Sequence, residues 1–455
     1  MQACASWPEF AYLNSARSWG DLGVMPCLMP RLLSVSANDT TASFSSIGAA
    51  LLQAVAGDIV LVGPGRYSPS QSGERFPLYV PPGVTLMGAG QGESTIDGEG
   101  AMDLSFRPVC EGQSLVLLGN DSVLSGFSVI NGGGNGVSHQ LGARVLISRN
   151  EIRGHGQHGV LVSGPQEALI KDNIFLDNGT KRFSPTTPSG GQGRQGHHIF
   201  VQGKAGAANR VIVIDNTMTR AFADGMAIVV FFDEPDGVVM HASVSDNLIE
   251  HSERRGLTIA GSFGPSRARI AVDVRRNVMR DNAESAILAA SAGRSLAPTL
   301  ITECALRLQV IDNECHNSRE GIALFGGFGP ARGNMVDATV LGNVITGMKR
   351  HALRVSGGMG YRGHGAHHNR VRVLVHRNHI EAGSDIPIFM QGGGAEAEEV
   401  TTGNTVLASV TANQLPDVAG QPSIVINDGL EGNAVHVTEP SQAYERRRGT
   451  IAFDA

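Results

Sequence analysis

Apolar and polar residues alternate along this chain in many short segments. The commonest segment is a glycine followed by apolar, variable and apolar residues, a period of two that places alternate side chains on opposite faces of a strand. The pattern therefore predicts many short strands, each with one buried and one exposed face. It recurs at 159–162, 225–228, 256–259 and 321–324, and with the glycine replaced at 198–201 and 352–355.

A second phrase, an asparagine with an apolar residue two positions later, recurs between these segments. Successive asparagines are 23 to 43 residues apart, which is too irregular for propeller blades and suits the coils of a solenoid with loops of different length. An Asn at a tight turn can bond its own turn and the equivalent Asn of the next coil, so a structural role is predicted. The series comprises Asn150, Asn173, Asn216, Asn247, Asn277, Asn313, Asn343, Asn378 and Asn404.

The start of the solenoid is predicted from a helical pattern and the strands that follow it. A helix within 44–57 is indicated by Ile47, Leu51, Leu52 and Val55. Such a helix would cover the open end of the solenoid, whose first strand otherwise pairs with other chains. Four segments are predicted from the sequence: a poorly patterned extension at 1–43, the helix at 44–57, one β-helix domain at 58–430, and a C-terminal tail or cap at 431–455.

The first strands resemble those of the pectin-lyase-like superfamily of right-handed parallel β-helices. The resemblance rests on 56–67, with the sequence Ala-Gly-Asp-Ile-Val-Leu-Val-Gly-Pro-Gly-Arg-Tyr, and on 84–88 and 95–98. It implies an all-β, single-domain solenoid of three strands per coil. The superfamily holds polysaccharide lyases, glycoside hydrolases, uronan epimerases, phage tailspikes and proteins of no known activity, so the resemblance is specific for the fold and not for the chemistry.

The same resemblance implies where a site would lie. In known enzymes of this fold, the outer face of the sheet formed by the glycine-led segments bears the substrate cleft, and the residue before each glycine lies at the rim. Adjacent coils are about 4.8 Å apart, so neighbouring residues can perturb each other's pKa. Polar turn ends that merely face solvent are the alternative interpretation. The predicted row is His158, His197, Asp224, Arg255, Glu284 (register open by one residue), Glu320 and His351.

Further candidates flank this row. Arg354 occupies an outward strand position and is a candidate clamp for a carboxylate. The largest insertion enters immediately before His197, and loops on a rigid scaffold commonly bear function; its candidate substrate-binding residues are Lys181, Arg182 and Arg194. Aromatic side chains that could line a sugar-binding wall, or pack only among themselves, are Phe200, Phe263, Phe328 and Tyr361.

Composition and charge restrict the partners. The 36 basic and 42 acidic residues give a net charge of −6 without a basic stripe, so nucleic acid is not an expected partner. The five cysteines contain no Cys-x-x-Cys pair. No carboxylates accompany His364, His367 and His368, so neither a metal site nor another cofactor is predicted, and calcium has no clear ligand cluster.

The sequence also bears on location. No apolar run approaches the roughly 18 residues of a transmembrane helix, and the N-terminus lacks the pattern of a signal peptide. A membrane span is therefore not expected. A cytoplasmic location is favoured unless the start of the chain is misassigned, and the oligomeric state is left open.

The leading functional hypothesis is a carbohydrate-active enzyme. A polysaccharide lyase or uronan epimerase needs a base that removes the proton next to a carboxylate and a cation that stabilises the enolate. The candidates for the base are His197 and His351, and those for the cation are Arg255, Arg354 and Lys181. A glycoside hydrolase is the less favoured form and needs two carboxyl groups; these would be Glu284 with Asp224 or Glu320.

Two other functions stay open. A non-catalytic glycan-binding or structural β-helix would carry the polar row only as solvated surface. An enzyme acting on a small molecule in the same cleft is suggested by the missing export signal, because an intracellular protein seldom meets a polymeric substrate. Products discriminate among these hypotheses: a lyase creates an ultraviolet-absorbing double bond, a hydrolase raises reducing ends, and a binder leaves the glycan unchanged.

Overall fold

In the computed structural model, the chain winds through successive coils of short parallel strands. Each coil passes through three sheets in the order I, II, III, and a crossover between parallel strands of one sheet is right-handed. The fold is the predicted right-handed parallel β-helix. The structure describes residues 30–37, 39, 41–100, 114–179, 196–231, 234–293, 299–361, 363–381, 383, 385–394, 400–416, 422–429, 432–438 and 444–447.

Sheets I and III are joined by two long strands that bend from one sheet into the other, β10 (Asn135–Ser148) and β12 (Val160–Lys171). The remaining strands of sheet I are β1 (Leu32–Val35), β2 (Ile59–Val62), β5 (Thr85–Gly88), β8 (Ser122–Ser125), β15 (Arg210–Ile214), β18 (Val239–Ser245), β21 (Arg269–Arg275), β25 (Ala305–Ile311), β29 (Met335–Leu341), β33 (Arg370–His376), β36 (Thr405–Thr411) and β38 (Ala434–Thr438). Those of sheet III are β4 (Leu78–Val80), β7 (Ser114–Leu118), β14 (Ile199–Gly203), β17 (Met226–Val230), β20 (Leu257–Ala260), β23 (Ser285–Ala290), β27 (Glu320–Phe325), β31 (His351–Met359), β35 (Ile386–Gly394), β37 (Ile424–Asn427) and β39 (Tyr444–Arg447).

Sheet II is built from shorter strands, and a small fourth sheet bridges the loops after sheet III. Sheet II contains β3 (Gly65–Tyr67), β6 (Ser94–Asp97), β9 (Ser128–Ile130), β11 (Glu151–Arg153), β13 (Ile174–Leu176), β16 (Thr217–Thr219), β19 (Leu248–Glu250), β22 (Val278–Arg280), β26 (Glu314–His316), β30 (Val344–Thr346) and β34 (His379–Ile380). The small sheet contains β24 (Ile301–Thr302), β28 (Ala331–Arg332) and β32 (Ala366–His367).

The alternating sequence pattern explains the interior of the solenoid. In β21, Ile270, Val272 and Val274 are buried in the core, whereas Arg269 lies on the outer surface and is exposed. Stacked coils repeat this alternation, and the inward side chains form one apolar cluster that runs from Val35 to Val435. A one-residue slip would turn these side chains outward, so the core sets the register of each strand.

A row of buried asparagines follows sheet I, as predicted for the turn. The Oδ1 atom of Asn277 accepts the backbone and side-chain N–H groups of Asn247 at 3.0 and 2.9 Å, and its own amide donates to Asn313 at 2.9 Å. The residue before it, Arg276, has a left-handed backbone with φ 51°. The predicted structural role is confirmed for Asn150, Asn173, Asn216, Asn247, Asn277, Asn313, Asn343 and Asn378.

The last asparagine of the predicted series was assigned to the wrong row. Asn404 belongs to a second row at the entry to sheet I, where its Oδ1 accepts from Asn369 at 3.0 Å and its amide donates to Asn433 at 2.9 Å. Asn413 takes the place in the first row, accepting from Asn378 at 2.9 Å. Both turns put an apolar residue two positions after the Asn, so the phrase alone does not separate them.

The N-terminal end has one strand more than expected. Strand β1 lies upstream of the predicted start and pairs in register with β2. Helix α1, Ile47–Gln53, follows β1 and buries Ile47 and Leu51. Its first turn is held by the Glu74 carboxylate, which accepts the N–H groups of Ile47 and Gly48 at 2.6 and 3.0 Å. Leu52 lies on the solvent side of the helix and Val55 lies beyond its end at Gln53, so both are exposed and lie outside the predicted apolar face.

Strands also continue beyond residue 430, where β36 pairs with β38 and β37 with β39. No helix within the described ranges is long and apolar enough to cross a membrane.

Candidate active site

The outer face of sheet III carries a row of polar side chains at one register position. Val160, Ile199, Met226 and Leu257 pair with one another on successive coils. Two residues before these positions lie His158, His197, Asp224 and Arg255. Farther along, Ser285 pairs with Glu320, and Glu320 with His351. We call these seven residues the sheet III row.

Ser285, and not Glu284, occupies the fifth position of this row, which settles the register that the sequence left open by one residue. Ile287 of β23 pairs with Leu257 and with Ile322 on the neighbouring strands. Ser285 therefore precedes Ile287 by two residues, as Arg255 precedes Leu257 and Glu320 precedes Ile322. Glu284 still lies beside the row, since its Oε2 is 2.6 Å from the guanidinium of Arg255.

Six of the seven residues of the row are buried and His158 is half-buried, although the members are mostly charged or titratable. Asp224 is 3% exposed, Glu320 7% and Arg255 8%. Charged side chains are almost never so buried unless they are paired. The alternative interpretation of the row, polar turn ends facing solvent, is therefore wrong for these residues.

Two imidazoles stack at the beginning of the row. The rings of His158 and His197 are 5.2 Å apart and nearly parallel, and His158 also stacks on Phe200 at 4.5 Å. The backbone N–H of His197 donates to Nδ1 of His158 at 3.3 Å. Nδ1 of His197 lies 3.3 Å from the Asp224 carbonyl oxygen and 3.8 Å from its carboxylate. A proton on that nitrogen points at Asp224 and leaves a lone pair on Nε2.

Two arginines balance the carboxylates in the middle of the row. Arg255 places one guanidinium nitrogen 3.9 Å from Asp224 and another 2.6 Å from Glu284. The backbone N–H of Arg255 also donates to Oδ1 of Asp224 at 3.2 Å. Arg254, which was missing from the predicted site, donates to Glu284 at 3.4 Å. The doublet of arginines before Gly256 was the sequence signal for this second cation.

The pKa values in this part of the row follow from burial and these charges. Burial lowers the pKa of His197 and, well below its ordinary value, that of His158, so both imidazoles are neutral at pH 7. Burial alone would raise the pKa of Asp224, but the charges of Arg254 and Arg255 outweigh it and hold that pKa below its ordinary value. Asp224 is therefore ionised at pH 7.

A second group of charges lies three coils farther along. Arg354 donates to Oε1 of Glu320 at 3.2 Å and lies over the ring of Phe325 at 5.0 Å. His351 stacks on Phe389 at 5.0 Å, and its Nδ1 is 3.3 Å from the Ile386 carbonyl oxygen. Burial lowers the pKa of His351 to about 4, so this imidazole too is neutral at pH 7. The structure thus brings the predicted Glu320, His351 and Arg354 together.

The aromatic candidates divide into two groups. Phe200 stacks on Phe231 at 5.6 Å, and Phe231 on Phe263 at 5.7 Å, so a run of rings continues the imidazole stack. Phe328 is buried and packs against Phe325 at 4.3 Å, as in the alternative in which the aromatic side chains pack among themselves. Phe263 and Tyr361 are half-buried and stay predictions.

Three predicted residues, Lys181, Arg182 and Arg194, lie outside the described residues. Of the adjacent histidines 197 and 198, the second turns inward, where its Nδ1 accepts from Asn178 at 2.9 Å. Within the described part of the chain, no group of three or more His, Cys, Asp or Glu residues is placed to hold a metal ion.

A surface cleft opens at the turn that follows the strands of sheet II. It has a volume of about 650 Å³ and is lined by Asp177, Asn178, Arg220, Ala221, Phe222, His251 and Glu253. None of these described lining residues belongs to the sheet III row. The buried charges, and not this cleft, therefore define the candidate site.

Comparisons with solved structures agree with the fold. The chain is similar to the catalytic unit of the thermostable GH87 alpha-1,3-glucanase from Streptomyces thermodiastaticus, with 18% identity, a TM-score of 0.50 and coverage of 90% of this chain. It spans 65% of the length of that glucanase chain. The A-module of the mannuronan C-5 epimerase AlgE4 from Azotobacter vinelandii matches with 13% identity and a TM-score of 0.41, covering 90% of this chain and 92% of the epimerase module.

Comparisons of sequence give one family and no curated relative. No curated protein matches the chain. The family described as "Protein of unknown function (DUF1565)" matches residues 35–294, more than half of the sequence. The chain therefore belongs to the DUF1565 family.

Proposed function

We propose that this chain is a carbohydrate-active enzyme whose active site is the sheet III row together with Arg254, Glu284 and Arg354. The observation that carries the proposal is the burial of Asp224, Arg255, Glu320 and Arg354 on the outer face of one sheet. A buried ion pair is weak evidence for stability, because desolvation of both charges opposes their attraction. Buried charges whose neighbours have perturbed pKa values are typical of functional sites.

Two combinations of a neutral imidazole and an arginine support proton abstraction as the chemistry. His197 and His351 each direct Nδ1 at a carbonyl oxygen, so Nε2 carries the lone pair of a general base. A bound sugar carboxylate would raise the pKa of either imidazole towards neutral, because an opposite charge favours the imidazolium. Arg255 or Arg354 would hold that carboxylate and stabilise the enolate. This is the chemistry of a polysaccharide lyase or a uronan epimerase.

Hydrolysis of a glycan is the second candidate, and the similarity to the alpha-1,3-glucanase favours it. A glycoside hydrolase needs one carboxyl group that is still protonated at the working pH. The lowered pKa of Asp224 suits a base or a nucleophile and not the proton donor. The remaining carboxyl groups are Glu284 and Glu320, and either one would have to take up a proton beside the arginine that contacts it before it could act as the donor.

The test is turnover of polygalacturonate, alginate, glycosaminoglycans and neutral glucans, including an alpha-1,3-glucan. A lyase raises ultraviolet absorbance, an epimerase changes the ratio of uronic acids in the polymer, and a hydrolase raises reducing ends. We expect His197→Gln or His351→Gln, whichever removes the base, to lower kcat by at least about a hundredfold, the usual contribution of general base catalysis. Arg354→Met should also lower kcat, because it removes a candidate cation that stabilises the enolate.

The matched control is His379→Gln, which changes a histidine on sheet II whose side chain is 43% exposed. This variant should keep the turnover of the wild type. Full activity in the His197 and His351 variants would contradict proton abstraction by the row. Glycan binding without turnover on any substrate would contradict an enzyme and identify a glycan-binding protein.

A further inference from the structure

Two pairs of neighbouring strands in sheet III repeat each other in sequence. Residues 158–164 have the sequence His-Gly-Val-Leu-Val-Ser-Gly, and 351–357 have His-Ala-Leu-Arg-Val-Ser-Gly. On the next coil, 199–203 have Ile-Phe-Val-Gln-Gly, and 388–392 have Ile-Phe-Met-Gln-Gly. Strand β12 pairs with β14, and β31 with β35. We name the first pair of strands unit 1 and the second pair unit 2.

The two units also repeat each other in their contacts. His158 stacks on Phe200 at 4.5 Å in unit 1, and His351 stacks on Phe389 at 5.0 Å in unit 2, with interplanar angles of 17° and 13°. The register places Ser163 opposite Gln202 and Ser356 opposite Gln391. The Ser163 hydroxyl donates to Gln202 at 3.4 Å, and the Gln391 amide donates to the Ser356 hydroxyl at 3.0 Å.

Each unit leaves one buried amide atom without a partner. Gln202 and Gln391 are both 0% exposed. Among the described residues, Nε2 of Gln202 and Oε1 of Gln391 have no hydrogen-bond partner. Exchanging the oxygen and nitrogen of either amide would still leave one atom unpaired. A buried polar group without a partner is unfavourable, so both amides are suited to a ligand that completes their hydrogen bonds.

These amides lie on the outer face of sheet III. The side chains at 160, 162, 199 and 201 belong to the core, so those at 161, 163, 200 and 202 point to the opposite face. The four strands between the two units have apolar residues at the position of the glutamines, namely Val229, Ala260, Ala290 and Phe325. The glutamine is therefore a property of the units and not of every strand.

The two units lie on either side of Asp224, Arg255 and Glu320, and they themselves contain His158, His351 and Arg354 of the proposed active site. From β12 to β31 there are six strand spacings, about 29 Å. Asp224, Arg255 and Glu320 occupy the coils between them. We infer that the outer face of sheet III binds one glycan chain at two equivalent subsites, unit 1 and unit 2, and presents the sugars between them to the charged residues. This inference rests on the proposed function of the row.

The chemistry of each unit indicates what it would bind. A flat imidazole–phenyl stack beside one unpaired amide suits the apolar face and a hydroxyl group of an uncharged part of a sugar ring. The same group must occur twice along the ligand, which favours a polymer over a small molecule. Unit 2 is the more covered, because the Met359 sulfur lies 4.0 Å from Nε2 of Gln391. His158 of unit 1 is half-buried, so unit 1 is expected to bind more tightly.

The test is calorimetric titration of the full chain with oligogalacturonides and alpha-1,3-linked gluco-oligosaccharides, from disaccharide to dodecasaccharide. Short oligomers should bind two per chain with unequal affinity. Oligomers long enough to reach both units should bind one per chain, at least about tenfold more tightly, because the second contact is then intramolecular.

Gln202→Met and Gln391→Met test the units separately. Each variant should lose one of the two short oligomers and weaken binding of the longest by about tenfold, the effect of one hydrogen bond. Its Tm should stay equal or rise, because an unpaired buried amide is removed. A purely structural glutamine would lower Tm instead. Gln53→Met, on the exposed surface of α1, is the control and should bind like the wild type.

The inference is overturned by one short oligomer per wild-type chain, by an affinity that does not change with length, or by no binding of either series. The two proposals fail separately. Turnover without two-site binding leaves the enzyme and removes the subsites. Two-site binding without turnover on any glycan leaves the subsites and removes the enzyme.

Discussion

Two ion pairs of this solenoid, one on the turn after sheet II and one on sheet III, have similar geometry in different surroundings. Arg220 and Asp177 approach to 2.7 Å, and their side chains are 55% and 49% exposed. Arg354 and Glu320 are 3.2 Å apart, and their side chains are 8% and 10% exposed. The exposed pair is the shorter of the two, but it should affect stability less, because exposed ion pairs contribute only about 0–1 kcal/mol. Burial, and not the distance between the charged atoms, therefore distinguishes the ion pair of the candidate site from the ion pair on the surface.

The largest expected effect is from removing one charge of the buried pair. Glu320→Gln removes the carboxylate that pairs with the buried Arg354, which should lower the free energy of unfolding by about 3–5 kcal/mol. Asp177→Asn removes one charge of the exposed pair and should cost less than about 1 kcal/mol. Urea denaturation of both variants measures the difference. Equal losses would mean that burial does not distinguish the two pairs.

Replacing both buried charges together should have the opposite effect. Glu320→Leu combined with Arg354→Met removes the desolvation cost of both ions, so the free energy of unfolding should equal that of the wild type or exceed it by about 1–4 kcal/mol. Glycan turnover should nevertheless be lost. A double variant that is both less stable and active would show that the pair serves the fold and not the reaction.

A third comparison uses pH. The pKa of His351 falls from its ordinary 6.5 to about 4 on folding, so the stability from the neutral imidazole is complete above pH 6.5 and is lost as the pH falls towards 4. One such group changes the free energy of unfolding by about 1.4 kcal/mol per pH unit at most. Between pH 4 and 6.5, His351→Gln should reduce the slope of the free energy of unfolding against pH by the contribution of one proton, up to about 1.4 kcal/mol per pH unit.

The exposed His379 should respond with the opposite sign. Hydrogen bonds to Glu381 and Gln414 raise its pKa, so its contribution is present below pH 6.5 and is lost as the pH rises through the folded pKa. An unchanged slope in His351→Gln, or the same sign for both histidines in denaturation curves, would contradict the assignment of His351 as a buried neutral base.

The smallest expected effect is that of salt concentration on the stability losses of the two variants Asp177→Asn and Glu320→Gln. From 0.01 to 1 M salt the screening length shrinks from about 30 to about 3 Å. The loss caused by Asp177→Asn, a few tenths of a kcal/mol, should disappear over this range. The loss caused by Glu320→Gln should persist, since a buried pair is screened by salt much less than an exposed one. A buried pair that is screened as strongly as the exposed pair would indicate an open cleft.

The sequence predicted the fold well because local signals repeat. The alternation at 225–228 and the asparagines at Asn247 and Asn277 each specify one strand or turn, and stacking multiplies them. The signal was weaker where a single position had to decide. Leu52 has helical spacing but lies near the end of a helix that stops at Gln53. Asn404 belongs to a turn whose local phrase is the same as that of Asn378.

The positions of the candidate site residues could be predicted from the sequence, but their burial and contacts could not. The residues before the glycines gave His197, Asp224 and Arg255 directly, because the register is periodic. At β23 two registers were compatible with the pattern, and the pairing of Ile287 with Leu257 and Ile322 places Ser285, and not Glu284, in the row. Burial of Phe328 and of the row depends on contacts between distant loops and strands, which no local pattern encodes. The recurrence of Val-Ser-Gly and of Phe-x-Gln-Gly was present in the sequence as a signal for the two units.

The asparagine row gives successive coils the same turn, held by the same hydrogen bonds between neighbouring coils. From Asn173 to Asn378, each Asn of the row accepts from the Asn of the coil before it and donates to the Asn of the coil after it, as Asn247 does between Asn216 and Asn277. Excision of 247–276 would bring Asn277 against Asn216 with the same hydrogen bonds. The number of coils thus sets the distance between units 1 and 2. Gain or loss of whole coils during evolution would change the length of glycan that the two proposed subsites span, without requiring a new kind of turn.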